Sequence, residues 1–394
     1  MKNRKTLIIS LFVLLCAASG LAYWLSTPSL DKMVGQMIMT GFHGDGTDEN
    51  AADFAAIEQQ VANGHVGGVI LFDVDVSGLV AQGMTIPEAK KHIFSSNIKN
   101  MDQVRNLTSK LQSLAPTPLF VAVDQEGGNI QRLKSEHGFA SIPSAKALGA
   151  GTTDNTYNVA HDLGLRLAAL GINVNFAPVI DVDVNPESPA IGALERSASA
   201  DPRIVTKYGR AFANGLNTAG VASAFKHFPG HGSAANNSHD GYTDVTTTYQ
   251  DYELQPYKEL VGKLSPCAMV MVAHVVNLNI DTVPASLSHK TIQMLRDMGF
   301  NGVVVSDDLD MGAVVNQYTR EQAIEMAINA GNDLLVYGNN LDFNPNKGEE
   351  VHATIMKLVK EGKIKESQIR KSYHRIMRAK RCIQKAQKHM VQSH

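Results

Sequence analysis

Lys226-His227-Phe228-Pro229-Gly230-His231-Gly232, followed shortly by Asn237-Ser238-His239-Asp240, is the stretch around which the chain is organised. The five residues before it, Val221-Ala222-Ser223-Ala224-Phe225, form an apolar run of strand length. Lys226 and His227 therefore fall where a strand ends. Pro229, which has no N–H, and Gly230, which tolerates tight turns, then drive the chain out of the sheet. A polar loop rich in Gly, Asn and Ser follows over 231–242 and carries His239. Charged groups delivered from a strand end into a loop are how barrel enzymes build their sites.

Similar runs recur on both sides of this stretch, at residues 37–42, 68–72, 119–124, 174–179, 269–274, 303–307 and 334–338. Each is short, continuous and rich in β-formers rather than alternating, which suits parallel strands buried on both faces. Helix-like segments lie between them, at 101–114, 155–170, 201–217, 288–298 and 320–330. The segment at 201 opens with Asp201-Pro202, an N-cap followed by proline at the first helical position. Eight strands alternating with helices predict an α/β fold, a (β/α)8 TIM-type barrel. An open doubly wound sheet is the alternative, and the Gly-x-Gly-x-x-Gly expected after its first strand is missing. Residues 73–96 read as a polar insertion or partial lid. The chain from 349 onward reads as a C-terminal helical tail of two helices split at Glu361-Gly362-Lys363, its basic end a solvated face.

With 44% hydrophobic and 19% charged residues, the composition is that of an ordinary globular protein. A net charge of −2 argues against nucleic acid as a partner, because no cationic excess exists to neutralise phosphates. Lys2, Arg4 and Lys5 precede a nearly unbroken apolar run over 7–18, with small residues at Ala18, Gly20 and Ala22. This is export-signal architecture. Residues 1–25 thus read as a signal peptide or an N-terminal membrane anchor, placing the chain in the periplasm, outside the cell or on the outer face of the inner membrane. Leu14-Leu15 before Cys16 does not suit a lipoprotein signal. Residues 28–394 read as a single catalytic domain. Cys267 and Cys382 show no zinc spacing; a bridge between them is open, and inert thiols are the favoured reading.

Polar residues gather where the runs stop: Asp124-Gln125-Glu126-Gly127-Gly128 with Arg132, then Asp181 and Asp183 with Arg196 beyond, then Lys226-His227, His274 and Asp307-Asp308. In a barrel these ends converge on one face. Asp, Arg, Lys and His together suit a ligand with many hydroxyls, which needs donors and acceptors at once. Each residue also has a plainer reading. Acids after strands serve as helix N-caps, which covers Asp308 and Asp310, and His227 and His274 could be satisfied buried histidines.

The motifs together resemble glycoside hydrolase family 3, in its single-domain β-N-acetylhexosaminidase branch. The resemblance rests on Asp124-Gln-Glu-Gly-Gly-Asn-Ile-Gln-Arg132, Asn175-Phe-Ala-Pro-Val-Ile-Asp181, Lys226-His-Phe-Pro-Gly-His-Gly232 with Ser238-His239, Ala273-His274-Val275 and Ser306-Asp-Asp-Leu-Asp-Met311. It implies Asp307 as the nucleophile of a retaining reaction and His239 as acid/base. It implies that Asp124, Arg132, Arg196, Lys226 and His227 bind the sugar. The implied substrate is an oligosaccharide ending in β-linked N-acetylglucosamine, such as a peptidoglycan or chitin fragment, cleaved with no metal and no cofactor.

The chain departs from the branch in two places. The acid/base histidine of relatives is preceded two positions earlier by an aspartate, and here Asn237 stands there. Asn can orient an imidazole but cannot stabilise its cation by charge, so the pH–rate limb set by acid/base protonation is expected to lie lower than in relatives. Asp240 or Asp244 could supply charge from the other side. Arg196 lies in a longer Gly-to-Arg spacing, Gly192-Ala-Leu-Glu-Arg196, than in relatives. Rival readings are a β-glucosidase of the same family, a degenerate sugar-binding protein and a metallohydrolase. The first lacks room for the second domain that supplies its acid, and the last lacks a helical His-x3-His.

Overall fold

The computed structural model describes residues 28–46, 51–85, 88 and 96–392. Residues 1–25, read as signal or anchor, lie outside them. Among the described residues no helix is long and apolar enough to cross a membrane.

Eight parallel strands close into a barrel: β1 (Ile38–Thr40), β2 (Gly68–Ile70), β3 (Phe120–Val123), β4 (Val174–Asn175), β5 (Ala222–Phe228), β6 (Met269–Val272), β7 (Val303–Asp308) and β8 (Leu334–Tyr337). β1 pairs with both β2 and β8, so no edge is left open. Nearly every strand residue is buried, as continuous apolar runs require. All eight predicted strands are present. β4 is shorter than its apolar run because the Asn175 side chain takes over from the ladder. Its Oδ1 accepts the Gln125 N–H at 3.0 Å and its Nδ2 donates to the Gln125 carbonyl at 2.9 Å.

The connecting helices are α1 (Ala51–Asn63), α2 (Met101–Leu114), α3 (Thr153–Ala169), α4 (Pro202–Thr218), α5 (Gln255–Leu260), α6 (His289–Asp297), α7 (Arg320–Ala330) and α8 (Lys347–Lys360). Their starts are chemical. Asp201 caps α4 by accepting the Arg203 N–H at 2.8 Å, and Thr319 with Gln322 forms a capping box on α7. α3 begins earlier than its apolar periodicity because Thr152 caps it. The 73–96 insertion carries one short helical turn, Val76–Ala81, capped by Asp75; its residues 86, 87 and 89–95 lie outside those described.

The predicted tail divides differently. Its first helix is α8, the eighth helix of the barrel; only α9 (Glu366–Gln392) is extra. Nor is α9 merely a solvated face. Lys380 is buried, donating to the Gly67 carbonyl at 2.8 Å and Gln36 Oε1 at 2.6 Å beside the N-terminal end of β2. Burial pushes its ammonium down to about 7. Cys382 of α9 is bonded to Cys267, just before β6, so the favoured reading of two inert thiols is corrected. Asp333, fully buried, accepts from Arg296 at 2.7 Å, Arg375 of α9 at 2.9 Å and Ser372 at 2.8 Å.

Asp333→Ala would leave two guanidinium groups facing an uncompensated buried gap. The expected loss of stability is about 3–5 kcal/mol, measured by denaturant unfolding. A loss under about 1 kcal/mol would show that Asp333 is not the anchor of α9.

Candidate active site

The C-terminal ends of β3, β4, β5 and β7 bring most of the expected residues to one mouth. β5 supplies the centre. Lys226 is 2% exposed, and its Nζ sits 2.7 Å from Asp124 Oδ1 and 2.7 Å from Glu126 Oε1. Arg196 reaches in from the loop after β4. Its Nε and Nη2 each donate to Glu126 at 2.8 Å, and Nη1 donates to the Ala190 carbonyl at 2.7 Å. The longer Gly-to-Arg spacing thus still brings Arg196 to the network, through a 3-10 turn over Gly192–Leu194.

His227 closes the chain of contacts. Its Nδ1 lies 2.7 Å from Asp181 Oδ2, and its Nε2 lies 3.2 Å from Arg196 Nη2. A guanidinium only donates, so Nε2 is the acceptor and the ring proton sits on Nδ1, facing Asp181. Asp181 also accepts the backbone N–H of His231 at 2.8 Å. The peptide bonds Ala177-Pro178, Lys226-His227 and Phe228-Pro229 here are cis.

These carboxylates stay ionised. Burial pushes Glu126 up, but Arg196, Lys226 and His227 outweigh it and hold the group well below the usual carboxylate range. Burial likewise opposes the ionisation of Asp181, and His227 and His231 override it. Lys226 is raised despite burial by Asp124 and Glu126. Burial pushes the His231 imidazole down to about 4, so it is neutral.

Arg132 stands at the edge of the network. It lies over the Phe72 ring, 3.8 Å from Asp73 and 3.7 Å from Asp124, too far to hydrogen-bond either. It is less enclosed than Lys226, Arg196 and His227.

Asp307 is half-buried at the end of β7, its Oδ1 accepting the Asp308 N–H at 2.9 Å. Burial raises its carboxyl, but the nearby His274, His227 and His239 outweigh it and hold the group well below the ordinary range. The strand end is clamped. Ser306 Oγ accepts the Val336 N–H at 3.0 Å, and Asp308 Oδ1 accepts those of Gly338 at 2.8 Å and Asp310 at 3.0 Å. Burial and Asp310 push Asp308 up to about 8. Asp308 and Asp310 are not helix N-caps: Asp310 pairs with Lys347 at 3.0 Å and accepts the Asn339 N–H. His274 has the plainer reading. Its Nε2–H donates to the Asp308 carbonyl at 2.9 Å and its Nδ1 accepts from Ser286 at 2.6 Å, so both nitrogens are occupied.

His239 is exposed on its loop. The loop backbone rests on the turn after β7: Gly312 N–H donates to the His239 carbonyl and Ala313 N–H to the Ser238 carbonyl, both at 3.2 Å. A Cβ at Gly312 would meet the Asp240 carbonyl at 2.9 Å. Asn237 Oδ1 accepts the backbone N–H of His239 at 3.1 Å, and Asp244 accepts that of Thr246. Asn237 therefore shapes the loop at the backbone.

Two residues at the centre, Glu126 and Asp181, stand inside the sequence motifs but have no role implied by them. The signal for Glu126 was its place two residues from Asp124 on the same strand end. Asp181 had no local signal, because its partner His227 lies on the next strand.

The fold is a closed (β/α)8 barrel with a polar, charge-paired mouth, the architecture of sugar-processing enzymes among others. The chain belongs to glycosyl hydrolase family 3: residues 29–379 match the model described as its N-terminal domain. It is 35% identical over 323 residues to β-hexosaminidase A of Pseudoalteromonas piscicida, covering 73% of this chain and 52% of that one. The chain thus spans about half the length of that relative. β-Hexosaminidase LpqI of Mycobacterium tuberculosis is 34% identical over 308 residues, covering 73% of this chain and 69% of its own. A family 3 β-N-acetylglucosaminidase from Paenibacillus sp. superposes with a TM-score of 0.78 at 31% identity, over 91% of this chain and 63% of that structure.

Glu126 and His231 both bind protons more weakly folded than unfolded, so acid favours the unfolded chain. Stability is expected to fall as pH drops from about 6.5 toward 4 through His231, and further below about 4.5 through Glu126. Denaturant midpoints against pH test this. Glu126→Gln should be less stable at neutrality and flatter below about pH 4.5; an equally steep fall in that variant would remove Glu126 as the source.

Proposed function

We propose that the chain is a retaining, exo-acting β-N-acetylhexosaminidase that removes terminal β-linked N-acetylglucosamine from oligosaccharides. The observation that supports this reading is geometric: Asp307 stands at the end of β7, and the loop that bears His239 rests its backbone on the turn that follows that strand, Gly312 and Ala313 donating to the His239 and Ser238 carbonyls at 3.2 Å. The names of the relatives give the sugar class.

In this reading the Asp307 carboxylate attacks the anomeric carbon as His239 protonates the leaving oxygen, giving a glycosyl ester on Asp307. His239, now neutral, takes a proton from the incoming water, which displaces the ester with net retention. Lys226, Asp124, Arg132, Arg196 and His227 hold the sugar hydroxyls, with Asp181 and Glu126 fixing the orientation of His227 and Arg196. The steps need no metal and no cofactor. An exposed loop mount lets His239 leave while substrate enters. Peptidoglycan or chitin fragments are the proposed sources of the sugar. The basic and apolar segment before residue 25 supports an exported enzyme whose single catalytic domain spans 28–394.

Hydrolysis of nitrophenyl N-acetyl-β-glucosaminide by the wild type, Asp307→Ala and His239→Ala tests the assignment. Asp307→Ala should lose about 10³-fold or more. His239→Ala should lose less on this activated leaving group and be rescued by azide. Faster cleavage of the matching glucoside would make the chain a β-glucosidase, and sugar binding without turnover would mark Asn237 as the sign of a degenerate site.

Asn237→Asp should place a carboxylate beside the acid/base loop. The alkaline limb of kcat/KM, where the general acid loses its proton, should then move up by about one pH unit. An unchanged profile and rate would show that position 237 acts only through the loop backbone.

A further inference from the structure

Far from the mouth, beside the N-terminal ends of β1 and β2, three segments bring two imidazoles and a carboxylate together. Asp31 comes from the short helix Leu30–Gly35 that precedes β1, His65 from the loop before β2, and His352 from α8. One ligand atom from each lies within 4.8 Å of the others. The two rings stack at 4.1 Å between centroids. His65 Nε2 is 3.8 Å and His352 Nε2 is 3.5 Å from the Asp31 carboxylate.

Two further features mark this as more than an ion pair. Glu349 Oε2 lies 2.6 Å from His65 Nδ1. A carboxylate there accepts a hydrogen bond from Nδ1–H and leaves the Nε2 lone pair facing Asp31, the arrangement that orients metal-bound histidines. His352 is buried and stacked on His65, so its ring is held in place beside the carboxylate. Two carboxylates, Asp31 and Glu349, meet two imidazoles, so a dication would balance the local charge.

We infer that Asp31, His65 and His352 form a binding site for a divalent transition ion, zinc by its preference for imidazole and carboxylate ligands. At bond lengths of about 2.0–2.1 Å, ligand atoms of a tetrahedral zinc site lie about 3.3 Å apart. The cluster therefore contracts on binding, and the half-exposed Asp31 supplies the movement. His352 Nε2–H donates to the Asp31 carbonyl at 3.0 Å, so binding the ion moves the ring proton to Nδ1 and frees the Nε2 lone pair. Water completes the shell. The ion would tie the segment before β1 to the loop before β2 and to α8. This role is structural and separate from hydrolysis.

The test is titration calorimetry of the full chain with zinc chloride, with thermal unfolding and nitrophenyl glycoside hydrolysis followed in parallel. One zinc per chain is expected, with a rise in Tm and no change in hydrolysis at one equivalent. His65→Ala and His352→Ala should each weaken binding by at least about tenfold and abolish the Tm rise. Asp31→Asn, a milder change at a half-exposed residue, guards against misfolding of the histidine variants and should also weaken binding. Equal zinc affinity in wild type and His65→Ala would place the ion elsewhere and overturn the site. So would absence of binding in the wild type. Because hydrolysis is read separately, a failed zinc site leaves the glycosidase reading standing, and an inactive enzyme leaves the zinc site standing.

Discussion

The mouth of the barrel depends on Lys226 being held, almost wholly out of water, between Asp124 and Glu126 at 2.7 Å each. An ammonium in that position is tolerable only with both carboxylates present. Glu126 in turn fixes Arg196 through two parallel bonds, and Arg196 donates to His227, whose far side is bound by Asp181. Each group is stable only because the next is charged or correctly protonated. Such a chain has one arrangement, and in the proposed reaction it is the one the sugar meets. Preorganised polar groups of this kind need no rearrangement during reaction, which is the main electrostatic advantage of an enzyme over water.

Burying that many charges is costly, and the compensation comes from elsewhere in the barrel. The strand interiors are apolar, and α9 closes their N-terminal side through the Asp333 cluster, Lys380 and the Cys267–Cys382 bond. Stability is concentrated at one end and chemistry at the other, the usual division in this architecture.

What could be read from sequence follows the range of the interactions involved. The eight strands were legible because parallel strands buried on both faces leave unbroken apolar runs. Asp124, Lys226 and His227 were legible as strand-end residues inside motifs. The end of β4 was not, because Asn175 replaces backbone pairing with side-chain bonds that no periodicity signals. The Cys267–Cys382 pairing was left open, since a separation of 115 residues carries no geometric information. Asp308 and Asp310 looked like caps because a cap and a strand-end clamp use the same residue type; only the Gly338 and Asn339 N–H groups across the sheet tell them apart.

The last of these contacts links rigidity to movement. Asp307 is held by β7, whose end is pinned to β8 through Ser306 and Asp308. The turn that follows β7 presents Gly312 and Ala313 to the carbonyls of His239 and Ser238. The exposed loop therefore rests on the same connection that carries the carboxylate. Gly312 has no side chain because the loop backbone occupies the space a Cβ would need. The backbone at His239 is thus positioned relative to β7 by a single turn of chain rather than by the long intervening sequence. In the proposed mechanism the His239 imidazole moves for substrate entry and returns to a resting place built from the strand of the Asp307 carboxylate.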